Sequence, residues 1–495
     1  MIDKTPAHFD LSLLPRLIFS ILVAFFSYKI AAGIAQENFK LIYFIGIMAV
    51  MFFIYKNQKA AILLLLFLNY LIPKSYSFLN ITSMTHLRSD ILSFLFIIAA
   101  FFSYRMSYQS GFPSESNQSL SRGEKWVLGL FLISGLISAF LPFAEIFLAK
   151  IGLISSTNTQ IGQTESFYGT LQVVGCFMLV PLMTFLLDTE KSINNILNYL
   201  VVLALAASFL GWLEHFGNIS YWDAYRDDRL ELPNVSVEVG TLLILPICWC
   251  LSQFVMRNKK IYVLYFSFFA LTVLLSLTRS NIAGMILSLF VISALIRKLS
   301  AVTKLAFIMF VAITGLTFFL MQYQTTLDYQ LPRLLSDSHF IGRQQIQEDA
   351  VNEYLSSYTW EEKLYGRGTE SYESEALVMD NRLRKKINTT QSVHNEFLKM
   401  LMNQGILGLL SLIGIIGMTY YNCFYIRKLE SDQEEKVFSD TASVIIAAMT
   451  GWIIMLNASI SSIIFMFFFY LGLSIALKGL AEKRVQNIVS GMQTS

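Results

Sequence analysis

Residues 460–477 read ISSIIFMFFFYLGLSIAL, an apolar run without a charged side chain. A helix rises about 1.5 Å per residue, so a run of this length approaches the roughly 30 Å of a bilayer's hydrocarbon core. Leu41 to Tyr55, Val127 to Leu141 and Ile261 to Leu277 repeat the pattern. A soluble core cannot hide that many. Composition agrees: of 495 residues 55% are apolar and 14% charged, with the charges clustered between the runs. The chain therefore reads as an all-α, polytopic transmembrane helical bundle of about fourteen spans.

The expected spans lie near 17–35, 39–55, 60–79, 87–104, 126–148, 169–187, 196–216, 237–256, 261–278, 280–296, 305–321, 396–425, 441–457 and 460–477. With this register, one side collects the basic residues: Lys56 and Lys59, then Arg105, Arg122 and Lys125, Arg257, Lys259 and Lys260, Arg297, Lys298 and Lys304, Arg427 with Lys428, and finally Lys478, Lys483 and Arg484. By the positive-inside rule that side is cytoplasmic and holds both termini. Pro73 and Lys74 interrupt the third span, but dropping it would spoil the alternation. Gly33 and Ala35 imitate a signal-peptide cleavage site; Lys29 breaks the preceding run, so the segment is read as retained.

Four divisions follow: N-terminal helices 1–216, central helices 217–321 with arginine-bearing outer loops, a large outer loop 322–395, and C-terminal helices 396–495 with a cytoplasmic tail. A loop of that length is expected to carry function. Within it Ile346, Ala350, Val351, Tyr354, Leu355 and Tyr358 repeat at helical spacing, which predicts an amphipathic helix, and Gly366-Arg367-Gly368 signals a turn. The four cysteines all fall in apolar runs without metal-finger spacing and read as packing or lipid-facing residues. A net charge of +3, thinly dispersed, gives no footprint for nucleic acid.

Two constellations suggest chemistry. In Ser392-Val393-His394-Asn395-Glu396, a helix capped by Ser392 would hold His394 in its first turn, on a stripe with Leu398, Leu401, Gly405 and Gly408. A helix N-terminus favours neutral imidazole, the form of a general base, and attracts phosphate; the bland alternative is an interfacial histidine without a role. Arg279 stands between two apolar runs with no acidic residue nearby, so its guanidinium either snorkels to water or meets an anion such as a lipid diphosphate. Arg226 and Arg229 precede Pro233-Asn234 and either bind phosphate or pair with Asp223, Asp227 and Asp228. The Asp227-Asp228 pair alone is too little for a metal, and no metal or other cofactor is expected. The basic run Arg382 to Lys386 fits phosphate or the membrane surface.

These pieces together resemble the bacterial O-antigen ligase and O-antigen polymerase superfamily. The motifs are Arg226 or Arg229 before Pro233-Asn234; Thr278-Arg279-Ser280 through Gly284; and Gly342-Arg343, Gly366-Arg367-Gly368, then His394-Asn395 with Leu398 and Gly405. The sequence departs from the pattern in lacking glycine and phenylalanine before Pro233 and in carrying Asn281 after Arg279. The resemblance implies a GT-C-like fold in the bacterial cytoplasmic membrane and an inverting, metal-independent glycosyltransferase. Its donor would be an undecaprenyl-diphosphate-linked glycan, and its acceptor a hydroxyl on lipid A core, on another lipid-linked repeat, or on a protein. It further implies His394 as base, with Arg279, Arg226, Arg229 and Arg343 on the diphosphate. The competing class is a flippase for lipid-linked oligosaccharides. Against it, the arginines and histidine gather at one face, whereas transporters carry charges at mid-membrane and paired halves.

Overall fold

The computed structural model describes residues 40–72, 77–82, 85–109, 120–150, 161–217, 230, 232, 239–276, 278–295, 338–367, 395–431, 437–456 and 465–493. The expected spans 17–35 and 305–321 lie outside them. In chain order the elements are α1 (Lys40–Lys56), α2 (Lys59–Leu71), β1 (Ser77–Thr82), β2 (Thr85–Arg88), α3 (Ser89–Gln109), α4 (Arg122–Lys150), α5 (Ile161–Leu186) and α6 (Glu190–Gly217). There follow α7 (Val239–Arg257), α8 (Ile261–Leu275), α9 (Arg279–Leu295), α10 (Ser338–Ser357), α11 (Trp360–Tyr365), α12 (Glu396–Leu429), α13 (Val437–Leu456) and α14 (Phe465–Gln493). Among the described residues, seven helices are long and apolar enough to cross a membrane: α4, α5, α6, α7, α12, α13 and α14. Five shorter apolar stretches, in α1, α2, α3, α8 and α9, accompany them.

One expected span is corrected. The third does not run from 60 to 79: α2 ends at Leu71, Ile72 turns extended, and an antiparallel pair β1–β2 follows, Ser77 opposite Arg88 and Thr82 opposite Thr85. Pro73 disfavours the helical region for the residue before it and cannot donate an amide hydrogen. This short hairpin departs from the all-α expectation.

Helix directions follow from a few polar contacts between helices, the kind that fix orientation in an apolar medium. Trp452, late in α13, donates Nε1–H to the carbonyl of Thr241, early in α7, at 3.0 Å, so these helices are antiparallel. Tyr70, at the end of α2, donates to Leu242 O at 2.7 Å. Arg427 of α12 donates to Leu295 O at the end of α9 at 3.3 Å, and also to Ser443 Oγ of α13. Hence α9 and α12 run parallel, with α13 antiparallel to both and packed against both.

One end of the bundle is basic. There Lys59 meets Asp188 at 3.7 Å, Arg257 meets Glu190 at 3.5 Å, and Lys478 meets Glu124 at 3.5 Å. Glu124, 1% exposed, closes a capping box with Ser121 and also accepts from Asn422 Nδ2 at 3.0 Å, which compensates its burial. The expected cytoplasmic connections at 56–59 and 257–260 both lie at this end.

The core is centred on α7, α13 and α14, where Trp249, Trp452, Phe467 and Tyr470 are buried. Helices α9 and α13 approach closely: a Cβ on Gly284 would stand 2.7 Å from Gly451 O, and one on Gly451 would stand 2.5 Å from Gly284 O. Ser288 beside them donates to Ala447 O at 2.8 Å. Small residues admit this approach, and dispersion and hydrogen bonding then hold it without help from water. Gly284 of the Thr278-Arg279-Ser280 motif therefore serves helix packing. All four cysteines are free and buried, as the packing reading expects.

Candidate functional site

Opposite the basic end lie the N-termini of α9 and α12. At the start of α9, side chains of Ser276, Thr278 and Asn281 bond to the end of α8. Ser276 Oγ donates to Val273 O at 2.7 Å, Thr278 Oγ1 to Ser276 O at 3.1 Å, and Asn281 Nδ2 to Ser276 Oγ at 3.2 Å. Asn281 thus ties Ser276, at the end of α8, to the new helix. Arg279 is the first residue of α9. Its position puts it where four backbone N–H groups lack helical acceptors and the helix dipole is positive, a setting for anions. Leu230, the residue after Arg229, donates its amide to Leu275 O at 3.3 Å and is fully buried. The chain leaving the arginine-bearing loop is therefore anchored four residues before Arg279.

At α12 the expected cap is corrected. Asn395, not Ser392, is the N-cap: its backbone is extended at φ −151°, and its side chain accepts from Leu398 N at 3.1 Å. His394 consequently precedes the cap instead of occupying the first turn. The expected glycine stripe is also corrected. Gly405 adopts φ 66°, ψ −166°, a conformation essentially restricted to glycine, and breaks α12 into two helical pieces. A continuous stripe from 394 to 408 does not exist across that break.

The kink receives the loop. Gly366 ends α11 at φ 78°, ψ −179°, and the two glycines meet face to face: a Cβ on Gly405 would stand 2.6 Å from Gly366 N, and one on Gly366 would stand 2.5 Å from Gln404 N. Arg367 N then donates to Met402 O at 3.1 Å, using a carbonyl the kink exposes. From the other side, Ser138 Oγ of α4 donates to Asn403 O at 2.7 Å.

Arg367 fastens the assembly. Its Nε reaches Glu362 Oε1 at 3.2 Å, Nη1 reaches Glu353 Oε1 at 3.2 Å, Nη2 reaches Ser357 O at 3.2 Å, and the guanidinium lies 3.9 Å from the centre of the Tyr358 ring. A planar fork makes these contacts at once; an ammonium would not. Tyr354 donates to Lys363 O at 2.6 Å, and burial pushes its phenol above the usual range, keeping it protonated. Sequence reading took Gly366-Arg367-Gly368 as a turn and as part of a motif, without partners for Arg367. The glycine signal was present, but the partners of Arg367 are set by how α10 and α11 fold back.

The amphipathic helix exists as α10, with one adjustment to its face. Ala350, Tyr354 and Tyr358 are buried against Leu398 and Met402, whereas Val351 and Leu355 are 40% and 60% exposed. Positions one residue apart stand about 100° around a helix, so only one of the two stripes packs.

Between α10 and the start of α12 lies a cleft of about 660 Å³. Gln347, Glu348, Val351 and Asn352 form one wall; Asn395, Phe397, Leu398, Leu401 and Leu409 form the other. Leu409 shares its face of α12 with Tyr420 and Arg427, which touch α13 and the end of α9 through Thr450, Ser443 and Leu295. Leu409 is thus on the side of α12 turned towards α13 and α9.

Of the sequence-derived candidates, His394, Arg226 and Arg229 lie outside the described residues. So do the side chains of Arg279 and Arg343, although their backbones are placed in α9 and α10. Arg279 and Asn395, the neighbour of His394, share one end of the bundle. Among the described residues no three of His, Cys, Asp and Glu gather as a metal group.

The family model for the O-antigen ligase matches residues 264–413, from α8 through the kink of α12. The motif with Arg226, Arg229 and Pro233-Asn234 precedes the matched segment. No curated protein matches the chain. The match supports the O-antigen ligase and polymerase superfamily and, with the apolar helices, a multi-pass membrane protein that ligates glycans.

Proposed function

We propose, from the match of residues 264–413 to the O-antigen ligase family, that this chain transfers or polymerises a glycan from an undecaprenyl-diphosphate-linked donor on the outer face of the bacterial cytoplasmic membrane. The observation that carries the reading is that one matched segment holds Arg279 at the start of α9, the α10–α11 unit locked onto the kink of α12, and the chain entering Asn395. The basic residues at the opposite end favour a cytoplasmic location for it, with both termini there.

In this mechanism the donor diphosphate sits at the N-terminus of α9. Arg279, with Arg226 or Arg229 from the loop anchored at Leu230, holds its oxygens by charge-assisted hydrogen bonds, and Arg343 is a further phosphate contact. His394 accepts the proton of the acceptor hydroxyl as that oxygen attacks the anomeric carbon from the face opposite the diphosphate. The carbon–diphosphate bond breaks in line, the electron pair leaves with the phosphate, and the anomeric configuration inverts. Arginines neutralise the leaving group, so no metal is required.

The test uses the full chain in nanodiscs with a lipid-linked donor and a candidate acceptor. A general base contributes a factor of about 10² to 10⁴, so His394→Ala should lose that much turnover while donor binding persists, and His394→Gln should not restore it. Near wild-type turnover by His394→Gln would remove the base role. Loss of wild-type turnover on adding a chelator would overturn the metal-free mechanism.

A further inference from the structure

We propose that the exposed side of the α10–α11 unit is a membrane-docking surface, seated through Leu355 and Trp360 in the headgroup layer of the adjoining bilayer leaflet. The proposal rests on the transferase reading only in calling that leaflet the outer one.

Helix α12 shows where the hydrocarbon ends. Ile406, Leu410, Ile413, Tyr421 and Phe424 are exposed, and a Cβ on Gly417 between them would meet nothing. With that glycine they recur every three or four residues, so they form one open face. A long apolar stripe left open on a membrane-crossing helix marks lipid contact. From Ile406 to Phe424 the helix rises about 27 Å, close to the roughly 30 Å of a hydrocarbon core. Arg427 and Lys428 follow Phe424 at the basic end, so Ile406 marks the opposite boundary.

The α10–α11 unit sits on that boundary. None of residues 396–405 of α12 is exposed, in contrast to the open face below them. Ala350, Tyr354 and Tyr358 pack on Leu398 and Met402, and Gly366 meets Gly405, the residue before Ile406. At helical rise these contacts fall within about 12 Å of the boundary, and α11 lies within a few ångströms of it, at headgroup level.

Leu355 and Trp360 are fixed to this unit. Lys363 Nζ donates to Leu355 O at 2.7 Å and Tyr354 donates to Lys363 O, which ties α11 to the end of α10. Yet the two side chains are 60% and 69% exposed. Indoles favour the membrane–water interface, where the ring meets acyl chains and the N–H meets headgroups. Trp126, at the start of α4 and the basic end of the bundle, is exposed to the same degree, whereas Trp249 and Trp452 are buried. The two exposed indoles thus bracket the bundle as a pair of interfacial belts does. An amphipathic helix at this depth lies in the interface plane with its apolar side in the lipid.

The experiment places nitroxide labels on single cysteines in the full chain in phosphatidylcholine nanodiscs: Leu355→Cys, Trp360→Cys, Asp349→Cys and Ile413→Cys. The four native cysteines are buried and leave the background low. Collision with oxygen, which concentrates in lipid, is compared with collision with a water-soluble nickel complex. Ile413→Cys sets the value for hydrocarbon, and Asp349→Cys, about 120° around α10 from Leu355, sets the value for water. The oxygen-to-nickel ratio at 355 and 360 should shift from the value at 349 towards that at 413. Amide exchange in α10 verifies that each labelled chain keeps the unit docked, and either position alone carries the test. Ratios at 355 and 360 equal to that at 349 would overturn the docking surface. So would shielding of both from oxygen and nickel together with spin–spin broadening, since a second copy of the chain would then occupy the face. The readout is independent of turnover. Lipid-level labels in a chain that transfers no glycan would sink the transferase reading and leave the surface standing; water-like labels in a chain that transfers glycan would do the reverse.

Discussion

Replacing Gly405 by alanine tests whether the α10–α11 unit is held by the kink of α12. Two costs arise at that position. The φ of 66° with ψ of −166° lies in a region that L residues avoid, at about 1–3 kcal/mol. The new methyl would also stand 2.6 Å from Gly366 N, so α11 must retreat and the hydrogen bond from Arg367 N to Met402 O, now 3.1 Å, is lost, at about 0.5–1.5 kcal/mol. The sum, about 1.5–4.5 kcal/mol, falls on the kink of α12 and the docking of the loop there and spares α13 and α14. Hydrogen exchange of the full chain in nanodiscs should then show amides of α10 and α11 exchanging about 10- to 2,000-fold faster, with α13 and α14 unchanged. Glycan transfer should fall with it. If protection across α10 and α11 in Gly405→Ala equals that of the wild type, the glycine-to-glycine contact does not hold the loop and the site's rigidity must come from elsewhere.

Asn395→Ala should cost about 0.5–2 kcal/mol through loss of the cap to Leu398 N, whereas Asn395→Asp should keep it; equal amide exchange at the start of α12 in Asn395→Ala and wild type would show the cap is idle. Arg279→Lys preserves charge but not the bidentate fork, and losing one charge-assisted hydrogen bond, about 1.5–3 kcal/mol, should lower transfer about ten- to hundredfold. Normal transfer by that variant at normal expression would make Arg279 a membrane flank. Cysteines placed at Ser336 and Asn258 should label from opposite sides with a membrane-impermeant thiol reagent, the native cysteines being buried; labelling of both from outside would refute the proposed topology.

The sequence by itself determined the helical, membrane-crossing character of the chain. Run length and the absence of charge are local properties, and a bilayer imposes the same demand on every segment. It also marked the motifs at Thr278-Arg279-Ser280, Gly366-Arg367-Gly368 and His394-Asn395, since cap, turn and helix-start residues leave short-range signatures. Only the tertiary structure decided what those residues touch. Ser392 and Asn395 are both acceptable caps, and the choice of Asn395 accompanies the docking of Leu398 and Met402 against α10. Gly405 reads as one more small residue on a helix face, yet it breaks the helix because Gly366, thirty-nine positions earlier, packs against it. Arg367 became a clamp through Glu353, Ser357, Tyr358 and Glu362, whose convergence depends on α10 and α11 folding back on α12. Contacts of this kind join residues whose proximity no local pattern encodes, so they emerge only when the helices pack.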